Sequence, residues 1–191
     1  MPEKHNVSGK EDNREIAEQK GKIMQIYHIT EGSPEWLYKA YDYVRTDAFC
    51  VGQSIPIEIE FEGDESKEEL EAVVLIEDHK PVAGCRITFP KEGVGKIERV
   101  CVVREKQKGG YGRIMIEDAE KWILERGVKH IVINSQDRSA GFYNKIGYVT
   151  NYDVSPSVYE KPRPKRAEEL PKKEEKKIDL GFSTVLVEKY L

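Results

Sequence analysis

Two periods of apolar and polar residues run along this chain, and they separate the expected strands from the expected helices. Short apolar or alternating runs predict strands at residues 22–29, 72–77, 82–89, 96–103, 128–134, 147–150 and 181–191. Apolar residues three and four positions apart predict a helix that begins near Arg113 and stops at Gly127. The order β-α-β-β-β-α-β-α-β-β predicts an α/β (α+β) fold, with a mixed, mostly antiparallel central sheet flanked by helices.

Local signals place the shorter elements. Ser33-Pro34-Glu35 predicts a helix start, with a hydroxyl at the N-cap, proline at the first position and an acid in the first turn. The buried side of this helix would carry Trp36, Leu37, Tyr41 and Val44. A short helix is expected at 139–146, and residues 78–81 predict the turn of a β-hairpin. Residues 55–61 alternate apolar and acidic side chains, as a half-exposed strand or an extended loop would.

The length of 191 residues is typical of one compact domain, expected here at residues 22–191. Residues 1–21 are polar and charged, which predicts a flexible or weakly helical N-terminal extension. The segment at about 160–178 is dense in Lys, Glu and Pro. Acidic residues interleave with its basic clusters, so we interpret it as a solvated loop rather than a nucleic-acid patch.

Composition excludes several classes of function. A formal net charge of −4 gives no general attraction to nucleic acid. No apolar run is long enough to cross a bilayer, and the N-terminus carries no apolar signal region, so a cytoplasmic protein is expected. The three cysteines, Cys50, Cys85 and Cys101, are too few and too scattered for a disulfide framework or a thiolate metal site, and no metal is expected.

The segment from Val102 to Arg113 carries the most specific chemistry. An apolar strand enters a glycine-rich turn and leaves as an amphipathic helix, a junction that presents free backbone N–H groups and a helix dipole to an anion. Glycine at 110 and 112 removes the Cβ atoms that would hold a phosphate away from the backbone. The turn therefore predicts a diphosphate-binding site, and an ordinary strand-to-helix turn is the alternative.

Two common nucleotide motifs do not fit this turn. A P-loop would end in Gly-Lys-Ser/Thr, but Arg113 follows the last glycine. The dinucleotide fingerprint needs a third glycine where Met115 stands. What remains is Gln-x-x-Gly-x-Gly, fixed by Gln107, Gly110 and Gly112.

This pattern resembles the GNAT superfamily of acyl-CoA-dependent N-acetyltransferases. The resemblance covers roughly residues 22–159 and includes a second signature downstream, Ala140-Gly141-Phe142-Tyr143-Asn144-Lys145-Ile146-Gly147-Tyr148. Residues 43–56 and Ser135-Gln136 are similar to the ElaA-like branch. Two motifs in the family's order are more specific than either alone. One departure is Asp137, where many members carry an asparagine that contacts the cofactor.

The resemblance implies acetyl-CoA as co-substrate and assigns residues to it. Gln107 and the backbone of Lys108, Gly109, Gly110, Tyr111, Gly112 and Arg113 would bind the pyrophosphate. The backbone of Val102 and Val103 would pair with the pantetheine arm like an added strand. Asn144 offers a nearby amide.

The family also implies catalytic roles. Tyr143 matches the tyrosine that protonates the departing thiolate, with aromatic packing as the alternative, while Phe142 is expected in the core. Glu98 lies on the strand where family members often place a general base; a structural glutamate paired with Arg99 or Lys96 is the alternative. Glu58 and Glu60 could attract a cationic substrate or be solvated strand positions.

We therefore expect transfer of an acetyl group to a primary amine by direct attack in a ternary complex. A non-catalytic acyl-CoA-binding module is the alternative, and a synthase using longer thioesters is a third hypothesis. The expected partner is a small-molecule or peptide amine, with no nucleic acid or membrane, and a homodimer is compatible with the sequence.

Overall fold

One mixed sheet organises the part of the chain that this computed structural model describes, which is residues 14–15, 22–61, 66–160 and 181–191. Its strands are β1 Arg14–Glu15, β2 Met24–Ile29, β3 Ala72–Glu77, β4 Lys80–Lys91, β5 Val94–Val102, β6 His130–Gln136, β7 Val149–Asn151 and β8 Thr184–Tyr190. The helices are α1 Glu35–Arg45, α2 Ile57–Glu60, α3 Tyr111–Glu125 and α4 Ala140–Lys145. A π-helical turn, Thr46–Val51, follows α1 directly.

The strand order is β1-β2-β3-β4-β5-β6-β8-β7, and every neighbouring pair is antiparallel except β5 and β6. The predicted mixed, mostly antiparallel sheet flanked by helices is confirmed. The parallel pair is connected through α3, as parallel neighbours require a crossover. Residues 160–178, predicted as a charged loop, lie largely outside the described residues, as does most of the 1–21 extension.

The two faces of the sheet hold separate apolar layers. Alternate residues of β3 point to opposite faces, so Val73 and Leu75 join one layer while Ala72 and Val74 join the other. Helix α3 covers the first face with a fully buried stripe, Met115, Ile116, Ala119 and Ile123. Helix α1 covers the second face with Leu37, Tyr38, Ala40 and Tyr41. The helices therefore fix the sheet from both sides.

A close approach between α3 and β5 explains one glycine. A Cβ on Gly95 would lie 2.6 Å from Ile123 Cγ2, well inside van der Waals contact. Gly95 stands where β5 pairs with β6, opposite Ile131. The missing side chain therefore lets α3 lie directly on the junction between the two parallel strands.

The structure corrects three local predictions. Residues 57–60 form the short helix α2 rather than a strand or an extended loop, because Glu60 turns inward to pair with buried Arg45. Trp36 is 48% exposed and packs edge-on against Tyr27 beside the buried stripe of α1. Ser33 Oγ accepts a hydrogen bond from the Thr30 N–H, so it closes the preceding turn instead of capping α1.

Within the described ranges, no helix combines the length and apolarity that a membrane span requires.

Candidate functional site

A gap in the sheet defines the candidate site. Strand β5 has nine residues, but it pairs with β6 only through Val94, Gly95 and Lys96. Strand β6 continues to Gln136, fully paired on its other side with β8. The two parallel strands therefore part beyond Lys96, and no described residue pairs with this edge of β5 from there on. An extended ligand can add main-chain hydrogen bonds at such an edge.

Backbone bonds show which residue of β5 faces this gap. The Val103 N–H donates to the Val82 carbonyl at 2.9 Å, towards β4. Val102 precedes it and directs its own peptide groups to the open edge, where its carbonyl accepts a bond from Gln107 Nε2 at 3.3 Å. The geometry thus suits pairing with an extended arm at Val102, whereas the N–H predicted to serve at Val103 is committed to the sheet.

The glycine-rich turn lies at the end of β5. After a 3-10 turn at Arg104–Lys106, Lys108 and Gly110 adopt left-handed conformations, with φ of 65° and 88°, and α3 begins at Tyr111. Gly110 occupies the N-cap, no side chain caps the helix, and nothing lies within 4 Å of the place of its missing Cβ. Left-handed backbone is the reason for glycine here, since an L side chain would be strained.

Free N–H groups point out of this turn. Among the described residues, the N–H groups of Lys108, Gly110, Tyr111 and Gly112 have no hydrogen-bond acceptor. The positive end of the helix dipole lies at the same point. Orphaned donors beside open space and a helix N-terminus form a site for a phosphate-sized anion.

The charged side chains of the turn have different partners. Lys108 is exposed and makes no ion pair with the described residues, which leaves its ammonium available to an anion. Arg113 is exposed and pairs with Glu117 one turn along α3, at 2.7 Å. Lys106 pairs with Glu77.

Tyr143 lies in α4 on the same face of the sheet as α3. It is 6% exposed, and its ring makes edge contacts with Phe142 and Tyr148 at 5.1 and 5.9 Å between centroids. Its hydroxyl finds no partner in the described part of the chain. Burial, together with the nearby Cys85 and Cys101, raises the pKa of Tyr143 above its ordinary value of 10.0, so the phenol keeps its proton at neutral pH.

Phe142 was predicted to lie in the core, and this is wrong. Its side chain is 38% exposed and stands over the start of α3: a Cβ on Gly112 would lie 3.4 Å from Phe142 Cζ and 3.6 Å from Val102 Cγ2. This contact brings α4, the glycine-rich turn and the open edge of β5 together. Asn144 lies on the outer side of α4, where its Oδ1 accepts a bond from Thr150 Oγ1 at 3.0 Å.

Glu98 is held by two cations on the α1 face. Arg86 Nη2 lies 2.8 Å from its Oε2, and Lys96 Nζ lies 2.6 Å from its Oε1. Burial alone would raise the pKa of Glu98, but Arg86 and Lys96 outweigh it and hold the pKa below its ordinary value. These contacts favour the structural alternative named for this residue, here with Lys96 and Arg86 as partners.

The segment that follows the π-helical turn, residues 52–60, carries several polar side chains, and two of them pair with neighbouring elements. Glu60 is buried, and its Oε1 accepts a hydrogen bond from Arg45 Nε at 2.8 Å. The same oxygen forms an ion pair with Arg99, whose Nε lies 3.2 Å away, so two arginines balance the charge of Glu60. Glu58 is exposed on α2. A hydrogen bond of 2.7 Å from Gln136 Nε2 to Gln53 Oε1 crosses from the end of β6 to the segment after the π-helical turn.

Sequence reasoning missed a residue that fixes the entry to the glycine-rich turn. Asp47 Oδ2 accepts the Arg104 N–H at 2.7 Å, and its Oδ1 lies 3.2 Å from both Arg104 Nε and Nη2. Asp47 lies in the π-helical turn, and such turns are frequent at functional sites. No local pattern connects two residues 57 positions apart.

Comparisons with known proteins agree with this geometry. A profile described as the acetyltransferase (GNAT) family matches residues 25–148. The uncharacterized N-acetyltransferase YjcF of Bacillus subtilis (strain 168) is 36% identical over 106 residues, which are 56% of this chain and 74% of that protein.

Solved structures share the fold. Escherichia coli ElaA is similar with a TM-score of 0.63 at 16% identity, over 87% of this chain and 99% of that chain. The catalytic domain of Tetrahymena GCN5 histone acetyltransferase, solved in complex with coenzyme A, has a TM-score of 0.59 at 13% identity, over 87% and 92% of the two chains. At these identities the structural likeness establishes the fold alone.

Proposed function

We propose that this chain, which belongs to the acetyltransferase (GNAT) family, transfers an acetyl group from acetyl-CoA to a primary amine by direct attack in a ternary complex. The observation that carries the proposal is the gap between β5 and β6 beside a turn with four free N–H groups. A diphosphate joined to an extended arm and ending in a reactive thioester fits these two features together.

The geometry supports a set of cofactor-binding residues. The N–H groups of Lys108, Gly110, Tyr111 and Gly112 would hold the diphosphate, with the ammonium of Lys108 nearby. The peptide groups of Val102 would pair with the pantetheine amides, and Phe142 would pack against the arm where it leaves the turn. Fixing the thioester in this way aligns its carbonyl carbon for attack.

The chemistry then needs few groups. The neutral amine would attack the thioester carbon, its nitrogen would release a proton to solvent, and the C–S bond would break as the N–C bond of the amide forms. Tyr143, protonated and without another hydrogen-bond partner among the described residues, would donate its proton to the sulfur. The proton lost by the attacking nitrogen would return to the Tyr143 oxygen through solvent. The ion pairs of Glu98 leave its carboxylate a weak base, so we assign deprotonation of the ammonium to solvent.

A thiol-release assay with acetyl-CoA across a panel of primary amines tests the proposal. We expect free thiol to appear only when both substrates are present, together with a rise in melting temperature on adding CoA. Tight CoA binding with no turnover on any amine would favour the non-catalytic binding module. No stabilisation by CoA at any concentration would contradict both functions.

A further inference from the structure

A buried carboxylate lies behind the glycine-rich turn. Glu77, the last residue of β3, is 4% exposed. Its Oε2 accepts a hydrogen bond from Lys106 Nζ at 2.5 Å, and its Oε1 accepts one from Tyr111 Oη at 2.6 Å. Lys22 Nζ stands further away, 3.5 Å from Oε2.

The two close donors flank the left-handed residues of the turn, Lys108 and Gly110. Lys106 immediately precedes Gln107 and Tyr111 immediately follows Gly110, so one carboxylate joins both ends of the turn. Between Lys106 and Tyr111, the described backbone makes one hydrogen bond within the turn, from the Gly109 N–H to the Lys106 carbonyl at 3.2 Å. A turn with two left-handed residues and so few bonds of its own depends on its anchors.

The surroundings of Glu77 favour the ionised form of its carboxylate. Burial would raise its pKa, but the hydrogen bonds from Lys106 and Tyr111 outweigh burial and lower it, so the carboxylate stays ionised near neutral pH. The ammonium of Lys106 is thereby held against Glu77.

We propose that Glu77 is a positioning residue that fixes the glycine-rich turn in its diphosphate-binding form through Lys106 and Tyr111. This inference rests on the proposed function. Lys106 stabilises the turn through its ion pair with Glu77, and Lys108 is the lysine that binds the diphosphate. Glu77 itself does not touch the cofactor.

Two acyl donors separate this role from a general loss of stability. In Glu77→Gln, the KM for acetyl-CoA should rise by about tenfold or more, with kcat changed less than about twofold. S-acetyl-pantetheine carries the same thioester without the diphosphate, so its KM should stay within about twofold of wild type. Asp118→Asn is the matched control. Asp118 is also buried, and its Oδ2 lies within hydrogen-bond distance of His28 Nε2, at 2.6 Å, but it stands further along α3, away from the turn.

A second readout needs no turnover. Amide hydrogen exchange at Gln107 and Gly109, whose N–H groups donate to the carbonyls of Arg104 and Lys106, should be faster in Glu77→Gln than in wild type, and unchanged there in Asp118→Asn. Equal KM and Kd for CoA in wild type and Glu77→Gln would overturn the inference while leaving the proposed function intact. A parallel rise in KM for both donors would also overturn it, because it would place the effect away from the diphosphate. If wild type fails to bind CoA at all, the inference falls together with the proposed function.

Discussion

Replacing Tyr143 by phenylalanine removes one oxygen atom and leaves the packing of its ring in place. The ring contacts with Phe142 and Tyr148 stay, and no hydrogen bond to a described residue is lost. The free energy of unfolding should therefore change by less than about 1 kcal/mol. If the phenol protonates the leaving thiolate, kcat should fall by about a hundredfold, equivalent to about 2.7 kcal/mol of transition-state stabilisation.

Steady-state thiol release at saturating amine measures this effect, with the KM for acetyl-CoA expected to stay constant. Tyr41→Phe is the control, because the Tyr41 hydroxyl is also buried without a partner among the described residues but lies in the α1 layer. It should leave kcat unchanged. A wild-type kcat in Tyr143→Phe would refute the acid role. A large fall in melting temperature would instead show that the Tyr143 hydroxyl contributes to the stability of the fold.

Three further predictions concern the anion site, the Glu98 ion pairs and the buried pair of Arg45 and Glu60. Gly110→Glu should abolish stabilisation by CoA, whereas Gly127→Glu, at a similarly open left-handed position beyond the other end of α3, should keep it; retained stabilisation in Gly110→Glu would contradict the anion site. Glu98→Gln should lower kcat by less than about tenfold, since a true general base contributes about a hundredfold or more. Because the folded pKa of Glu98 lies below its ordinary 4.5, the stability that its ion pairs give is present above that value and is lost as pH falls through the folded pKa. The melting temperatures of wild type and Glu98→Gln should therefore converge in acid. A difference in melting temperature that does not change with pH would contradict the ion-paired role. Glu60→Ala leaves the guanidinium of Arg45 buried without its carboxylate and should destabilise the fold by about 3 kcal/mol in urea denaturation; a change below about 1 kcal/mol would show that this pair is dispensable.

Local spacing explains what the sequence could predict about the site. The turn from Gln107 to Gly112 is a continuous run, so its strand-to-helix geometry follows from neighbouring residues. A role for Tyr143 could be proposed from the sequence because its motif is also continuous. Asp47 and Glu77 were not assigned, because they meet the turn across 57 and 29 residues and only the folded sheet brings them there.

The burial errors share a physical cause. Trp36 and Phe142 are large and apolar, but each lies beside the buried stripe of a helix rather than on it. Residues 57–60 complete about one helical turn, over which a period of two and a period of 3.6 are hard to separate. The deciding contact, Arg45 with Glu60, is again a tertiary one.

The short ladder between β5 and β6 has a consequence for how the molecule holds together. Within the described residues, three residue pairs join an antiparallel half made of β1 to β5 to a second half made of β6 to β8. Helix α3 and its apolar layer also span this seam, but few main-chain bonds cross it, so we expect the sheet to open locally there before the molecule unfolds as a whole. A ligand bound in the gap would contact both halves and stabilise their association. In amide hydrogen exchange, the two halves would then open separately without the ligand and as one cooperative unit when the ligand is bound.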